Sequence, residues 1–234
     1  MIVELMFVIL IIFSSIKIFK WYRDNKKNNE ILTTINNDVK IIIDKDTKEK
    51  TLDIDFNNLI KRNSDTVAYL TVNNTKVNYP VVKTKDNEYY LKHNFDKEYN
   101  VSGWIFMDYH NQLDGTDKNI IIYGHNTQDG SMFGSLRNTL KREWYENNDN
   151  QIIKLYTKDQ AFQYQIFSIY NIDNEQYYLK TSFDNNFTDF ANKLKDRSIY
   201  NFGIDVKEND SILTLSTCSH NGKKRVVIHA KRIN

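Results

Sequence analysis

Eight short runs of β-branched and aromatic residues, each bounded by Asn, Asp or Gly, set the strongest limit on what this chain can become. They cover residues 66–72, 75–82, 103–108, 119–125, 151–157, 161–172, 211–218 and 224–233. Runs of this length and composition read as strands, and the residues between them read as turns. Three intervening stretches, 88–95, 131–140 and 187–200, have helical spacing. The regular strand-helix alternation of a doubly wound sheet is therefore missing. The expected fold is mainly β: an eight-stranded barrel, closed or nearly closed, with inserted helices and an N-terminal helical anchor.

Composition narrows the function classes. With 40% apolar and 26% charged side chains in 234 residues, the chain can bury a substantial core, which excludes disorder as the whole answer. Thirty-two Lys and Arg against 30 Asp and Glu leave +2, too balanced for a phosphate-driven nucleic-acid binder. One cysteine, Cys218, excludes an internal disulfide and a Cys-rich zinc site. No His and carboxylate spacing suggests a metal, and no cofactor is expected. Basic residues gather in two places: Lys17, Lys20, Arg23, Lys26 and Lys27 follow an apolar run, and residues 223–232 carry five more close to Cys218.

That apolar run spans residues 1–19, interrupted by Glu4, Ser14, Ser15 and Lys17. It has about the ~20 residues a helix needs to cross a ~30 Å hydrocarbon core. No small-x-small cleavage pattern follows it, so an uncleaved membrane anchor is expected ahead of a signal peptide or a buried core helix. The resulting plan is an anchor over 1–22, a partly helical stalk or linker over 23–50, and a folded domain over 51–234. Within it, residues 53–62 place Ile54, Phe56, Leu59 and Ile60 near one face of a short amphipathic helix. The Lys and Arg residues follow the span, and the positive-inside rule alone would leave the C-terminal domain in the cytoplasm.

Three residues at strand ends form a chemical set. Cys218 ends the run 211–218, on the alternating face it shares with Ile212, Thr214 and Ser216. His125 ends the run 119–125, and Arg225 stands near the start of the last run. A thiol has a pKa near ~8.5, and nearby cations favour the thiolate that attacks carbonyls. A histidine can donate a proton to a leaving amine. An arginine presents a planar fork of donors suited to a carbonyl or an oxyanion. Each also has an ordinary reading as a core thiol, a hydrogen-bonded histidine and a solvated charge.

The order of Tyr123, Gly124, His125 and Asn126, then Thr214, Leu215, Ser216, Thr217 and Cys218, then Arg225 to Lys231, resembles the His, TLxTC and Arg segments of the sortases. Asn78 to Val82, Tyr89 to Leu91 and Gly103 to Asp108 are similar to the first half of the class B sortase barrel, and residues 173–203 stand where class B enzymes carry an insertion. The likeness covers about residues 50–233. It implies a single-pass, extracytoplasmic, membrane-anchored cysteine transpeptidase of a Gram-positive bacterium. Such an enzyme cleaves a C-terminal sorting motif after Thr. It holds the surface protein as a thioester and passes it to an amine of peptidoglycan, a lipid-linked precursor or a pilin. On that resemblance Cys218 is the nucleophile, His125 the proton donor and later acceptor, and Arg225 the substrate and oxyanion clamp. Ser216, Asn87, Leu91, Tyr178 and Leu179 match regions that grip substrate.

Two features depart from the family pattern. Six residues separate Cys218 from Arg225, a compact connection in which Asn221 and Gly222 signal a hairpin turn. His220 lies two residues past Cys218, where it could replace or perturb His125. A cysteine hydrolase that releases the acyl group to water, and a noncatalytic surface-binding barrel, are the competing functions.

Overall fold

A computed structural model describes residues 2–37, 39–43, 50–173, 175–218 and 224–234, apart from the side chains of Ile43, Lys50 and Cys218. The chain begins with helix α1 (Ile2–Asn36), followed by a two-stranded antiparallel ribbon of β1 (Val39–Ile43) and β2 (Lys50–Ile54) and by helix α2 (Phe56–Arg62). Strands β3 (Thr66–Val72), β4 (Asn78–Val82), β5 (Phe106–Met107), β6 (Asn119–His125), β7 (Ile152–Tyr156), β8 (Ala161–Ile172), β9 (Ile212–Cys218) and β10 (Arg225–Arg232) follow. They close into an eight-stranded barrel in the order β10-β8-β7-β3-β4-β5-β6-β9. Short helix α3 (Arg142–Tyr145) precedes β7, and α4 (Phe187–Asp196) lies in the β8–β9 insertion.

Burial along the strands explains the closure. All seven residues of β6 are buried, as expected of a strand covered on both faces, and its near-continuous apolar run permits that. Leu213 and Leu215 of β9 belong to the barrel core with Ile120, Ile121 and Ile122. A second core lies outside the barrel wall, where Phe167, Tyr170, Ile172, Ile212 and Val227 meet Tyr178, Phe187, Phe190 and Leu194 of the insertion. Strand β8 records the change: exposed and buried residues alternate over its first half, and Ile166 to Tyr170 are all buried where the insertion covers them.

Several elements are shorter than their sequence suggests, for local reasons. The run 75–82 gives a strand only from Asn78. Asn74 takes φ +50° and the Thr75 hydroxyl accepts from Val77 N, so Thr75 belongs to a turn. The run 103–108 pairs only over Phe106–Met107, because Gly103 at φ +56° turns the chain and Trp104 N donates to Tyr90 O. The helical stretches 88–95 and 131–140 are 3-10 turns, Tyr89–Leu91 and Gly134–Leu140. Helix α2 starts at Phe56 because Asp53 and Ile54 pair in β2, and Asp55 caps it by accepting from Asn58 N.

The N-terminal helix differs most from expectation. Residues 2–19, apolar apart from Glu4, Ser14, Ser15 and Lys17, are all exposed, and the helix is long and apolar enough to be a candidate membrane span. It does not stop at residue 22. It continues to Asn36, burying Asp24, Asn25, Asn28, Ile31 and Ile35 along one face against the barrel. The asparagines in the segment expected as a stalk supply hydrogen bonds between elements.

Candidate active site

Three adjacent strand ends meet at one level. Parallel strands β6 and β9 run in register from Asn119↔Ile212 to His125↔Cys218. On the other side of β9, antiparallel β10 pairs Val227 with Ser216, and Val226 N donates to Thr217 Oγ1 at 2.9 Å. Arg225 opens β10 two residues before Val227, and Cys218 closes β9 two residues after Ser216. Neighbouring strands lie about 4.8 Å apart, so the backbone of Cys218 is flanked closely by His125 and Arg225. The Cys218 side chain lies outside the described residues, as do His220 and the turn expected at Asn221 and Gly222.

His125 is nearly buried, and its Nε2 lies 2.8 Å from Leu91 O. Gly103 explains how the ring fits. A Cβ there would stand 2.9 Å from His125 Cδ2, 2.9 Å from Leu91 O and 2.4 Å from Tyr90 O, so only glycine allows the backbone to lie this close. Behind His125 the chain folds back on itself: Asn126 bridges Met132, and Phe133 N donates to His125 O. Gly124 lies against Ile105 and Phe133, where a Cβ would collide with both.

Arg225 is half-buried at the start of β10, with Nη1 3.4 Å from Tyr178 Oη. Tyr178 is fully buried and its hydroxyl is 2.9 Å from Ser216 Oγ, which ties the insertion to β9 and to Arg225. Ser216 is itself buried. The residues matched to substrate regions thus divide into two groups. Ser216 and Tyr178 lie beneath the surface holding Arg225, whereas Asn87, Leu91 and Leu179 are partly exposed. The side chain of Leu179 packs against both cores.

Asn87 is also engaged. Its amide donates to Asp108 Oδ2 at 2.8 Å and its carbonyl accepts from Tyr109 N at 3.1 Å. Asp108 further accepts from the Tyr123 hydroxyl at 2.8 Å and from His110 N at 2.9 Å, and His110 Nδ1 lies 2.8 Å away. Burial alone would raise the Asp108 pKa. The hydrogen bonds from His110, Tyr123 and Asn87 outweigh it and hold the carboxyl below the ordinary range. Tyr123 stands two residues before His125 on the same strand face, so alternation could have singled it out; Asp108 carries no such signal, because the partners that tie it to the site, Asn87 and Tyr123, are distant in sequence and only His110 is local.

Beneath Arg225 runs an ordered chain of polar groups. Tyr177 Oη donates to Tyr170 Oη, which is 2.8 Å from His229 Nε2; His229 Nδ1 is 2.9 Å from Thr214 Oγ1, which donates to Asn119 Oδ1 at 2.7 Å. Asn119 Nδ2 then donates to the carbonyls of Tyr178 and Lys180. With Tyr170 and Thr214 both committed as donors in one direction, His229 carries its proton on Nδ1 and accepts at Nε2. Complete burial lowers its pKa to about 3.

A family profile described as a sortase domain matches residues 70–233. Sortase B of Listeria monocytogenes is 35% identical over 231 residues, covering 95% of this chain and 92% of its own length. Sortase B of Staphylococcus aureus is 32% identical over 237 residues, covering 99% of this chain and 96% of its own. The crystal structure of sortase B from Bacillus anthracis in complex with AAEK1 superposes with a TM-score of 0.79 at 32% identity, covering 91% of this chain and 99% of that one. An eight-stranded barrel whose strand ends bring His, Cys and Arg level, matched over most of its length by these relatives, places the chain in the sortase family of cysteine transpeptidases, on its class B branch.

Proposed function

We propose that Cys218, His125 and Arg225 carry a transpeptidation on a C-terminal sorting motif. The observation behind this reading is the common level of three neighbouring strand ends, with Cys218 in the middle strand. The Cys218 thiolate attacks the carbonyl carbon of the Thr, and Arg225 holds the carbonyl oxygen as it gains charge. The C–N bond breaks as His125 gives its proton to the leaving amine, which leaves a thioester. An acceptor amine then attacks the thioester, His125 takes the proton back, the C–S bond breaks, and a new amide joins the surface protein to peptidoglycan, a lipid-linked precursor or a pilin. Asn87, Leu91 and Leu179 line the path of the motif, and Ser216 and Tyr178 support it through Arg225.

The apolar part of α1 anchors the enzyme in the cell membrane as a single span, with residues 51–234 as the extracytoplasmic catalytic domain. Its substrates lie outside the cell, which favours this orientation over the one suggested by the charges after the span. A membrane-impermeant amine label should modify Lys26 on intact cells; labelling only after lysis would reverse the orientation.

The reaction itself is tested with a pool of fluorogenic peptides carrying Thr before the scissile bond, incubated with excess glycine peptide as acceptor. Ligated product is expected from the native chain and none from Cys218→Ala, with the fold unchanged by circular dichroism. Free acid as the main product at saturating acceptor would make the protein a hydrolase, and turnover by Cys218→Ala would remove the thioester.

A further inference from the structure

The face of α1 just beyond the apolar span is polar and buried, and it touches both backbone segments that hold His125. On one side is the turn 100–103. Asn28 Nδ2 donates to Gly103 O at 3.2 Å, and Asn100 Nδ2 donates to Asn28 Oδ1 and to Asp24 O, each at 2.9 Å. Asp24 Oδ2 accepts from Val101 N at 3.1 Å. Ser102 Oγ donates to Asn25 Oδ1 at 2.5 Å. This turn ends at Gly103, whose missing Cβ lets it lie against the His125 ring and the Leu91 carbonyl. On the other side is the loop that follows His125. Asn25 Nδ2 donates to Asp129 Oδ2 at 3.1 Å, while Asp129 Oδ1 accepts from Ser131 N and Ser131 Oγ, the turn that returns the chain to pair Asn126 with Met132. Asn25 is therefore a two-ended clamp, its carbonyl on the segment in front of the imidazole and its amide on the segment behind it.

We infer that Asn25 and Asn28 are positioning residues for His125, so that the helix emerging from the membrane sets the geometry of the proton-transfer group. The inference rests on the role proposed for His125. A helix whose only task was to hold the domain near the membrane would need neither buried asparagines nor contact with two catalytic segments. An apolar seam of the kind Ile31 and Ile35 make farther along would hold it as well. Asparagine side chains buried to 6% exposure or less demand fixed partners, and fixed partners define position in a way that apolar contact does not.

The test uses the full-length chain in detergent micelles, with ring-labelled histidine and a neutral alkylating reagent, iodoacetamide, as the probe of the single thiol. The His125 resonance is identified by its loss in His125→Ala. In Asn28→Ala and Asn25→Ala the His125 resonance should move, and alkylation of Cys218 should slow roughly threefold to tenfold as the imidazole leaves its place. Glu30→Ala, on the exposed side of the same helix, should change neither. Should an asparagine variant fail to fold, Ser102→Ala decides the matter, because it removes one hydrogen bond of the clamp from the barrel side; it should move the same resonance by a smaller amount. An unmoved His125 resonance and native alkylation in folded variants that have merely lost thermal stability would overturn the inference and leave a simple attachment. The two readings fail separately: if His125→Ala alkylates at the native rate while Asn28→Ala still moves the resonance, the proposed role of His125 falls and the positioning stands.

Discussion

The two sides of the Cys218 position are built from different materials. His125 is held by main chain: a carbonyl oxygen from Leu91, the bare backbone of Gly103, and a loop that folds back onto its own carbonyl. Arg225 is held by side chains, through the Tyr178 hydroxyl to Ser216, beside a second core whose Tyr170, with Tyr177 packed on it, leads into the polar chain of His229, Thr214 and Asn119. Main-chain contacts tolerate changes in the side chains that carry them but not a change of backbone. Contacts through hydroxyls can be removed one atom at a time. Among the groups in direct contact, the proton-transfer side is thus expected to be all-or-none and the clamp side graded, while the asparagines of α1 act on His125 only at one remove, through the segments they hold.

The largest expected effects break the first side. His125→Ala should lower kcat/KM roughly 1,000-fold or more in the peptide assay, within the range for loss of a positioned acid and base. His220→Ala should keep most activity, and the opposite pattern would transfer the role. Gly103→Ala removes no catalytic group, yet its Cβ meets Tyr90 O, Leu91 O and the His125 ring at a positive φ and must displace them. A loss of roughly 100-fold is expected from this displacement alone. Native rates for Gly103→Ala would show that backbone proximity does not position the imidazole.

Next comes the clamp. If Arg225 contributed only charge, Arg225→Lys would be mild; a fork that holds an oxyanion in fixed geometry cannot be replaced by a point charge on a flexible stem. Arg225→Lys and Arg225→Ala should both lose at least about tenfold in kcat/KM, beyond the loss for the exposed Lys224→Ala. Equal and mild losses in all three would remove Arg225 from the catalytic set.

Smaller still is the graded behaviour of the support. Tyr178→Phe deletes the one oxygen between Ser216 and Arg225, and Ser216→Ala deletes its other partner. Each should cost about twofold to fivefold in kcat/KM, and the double variant little more than either, because both remove the same link. Additive losses would mean that Ser216 and Tyr178 act independently, for instance by touching substrate separately.

The same division governs what was legible in the sequence. Strand ends carrying His125, Cys218 and Arg225 stand out, because period-two alternation and turn residues mark where strands stop, and the barrel follows from eight such runs. What the sequence hides depends on distant pairing. Asp108 is defined by Asn87 and Tyr123, and His229 by Tyr170 and Thr214; none of these pairs has a local pattern. Residues 24–28 were misleading for a clearer reason. Charged and amide side chains after an apolar span read as solvated stalk, and the hydrogen bonds that let Asp24, Asn25 and Asn28 be buried come from a turn more than seventy residues away.

The smallest effect reaches the clamp side through stability. His229 is neutral in the folded chain, its pKa lowered by burial from 6.5 to about 3. Between those values the unfolded chain binds a proton at this position that the folded chain refuses, so acidification favours unfolding. The contribution is fully present above pH 6.5 and is lost as pH falls toward 3. One proton of difference corresponds to about 1.4 kcal/mol per pH unit, or about 3 to 6 °C in Tm for a chain of this size. Other groups titrate over the same range, so the informative measurement is the difference between two chains. His229→Gln should be less stable than the native protein at pH 7.5, having given up a ring that fits between Tyr170 and Thr214. Its Tm should also fall less steeply from pH 6.5 to 4.5, so that the two curves converge in acid. Parallel curves would mean that His229 does not titrate on unfolding, and that the polar chain beneath Arg225 survives protonation of its central ring. The contrast would then fail on the clamp side, since that chain could take up charge as readily as a backbone-held group keeps its place.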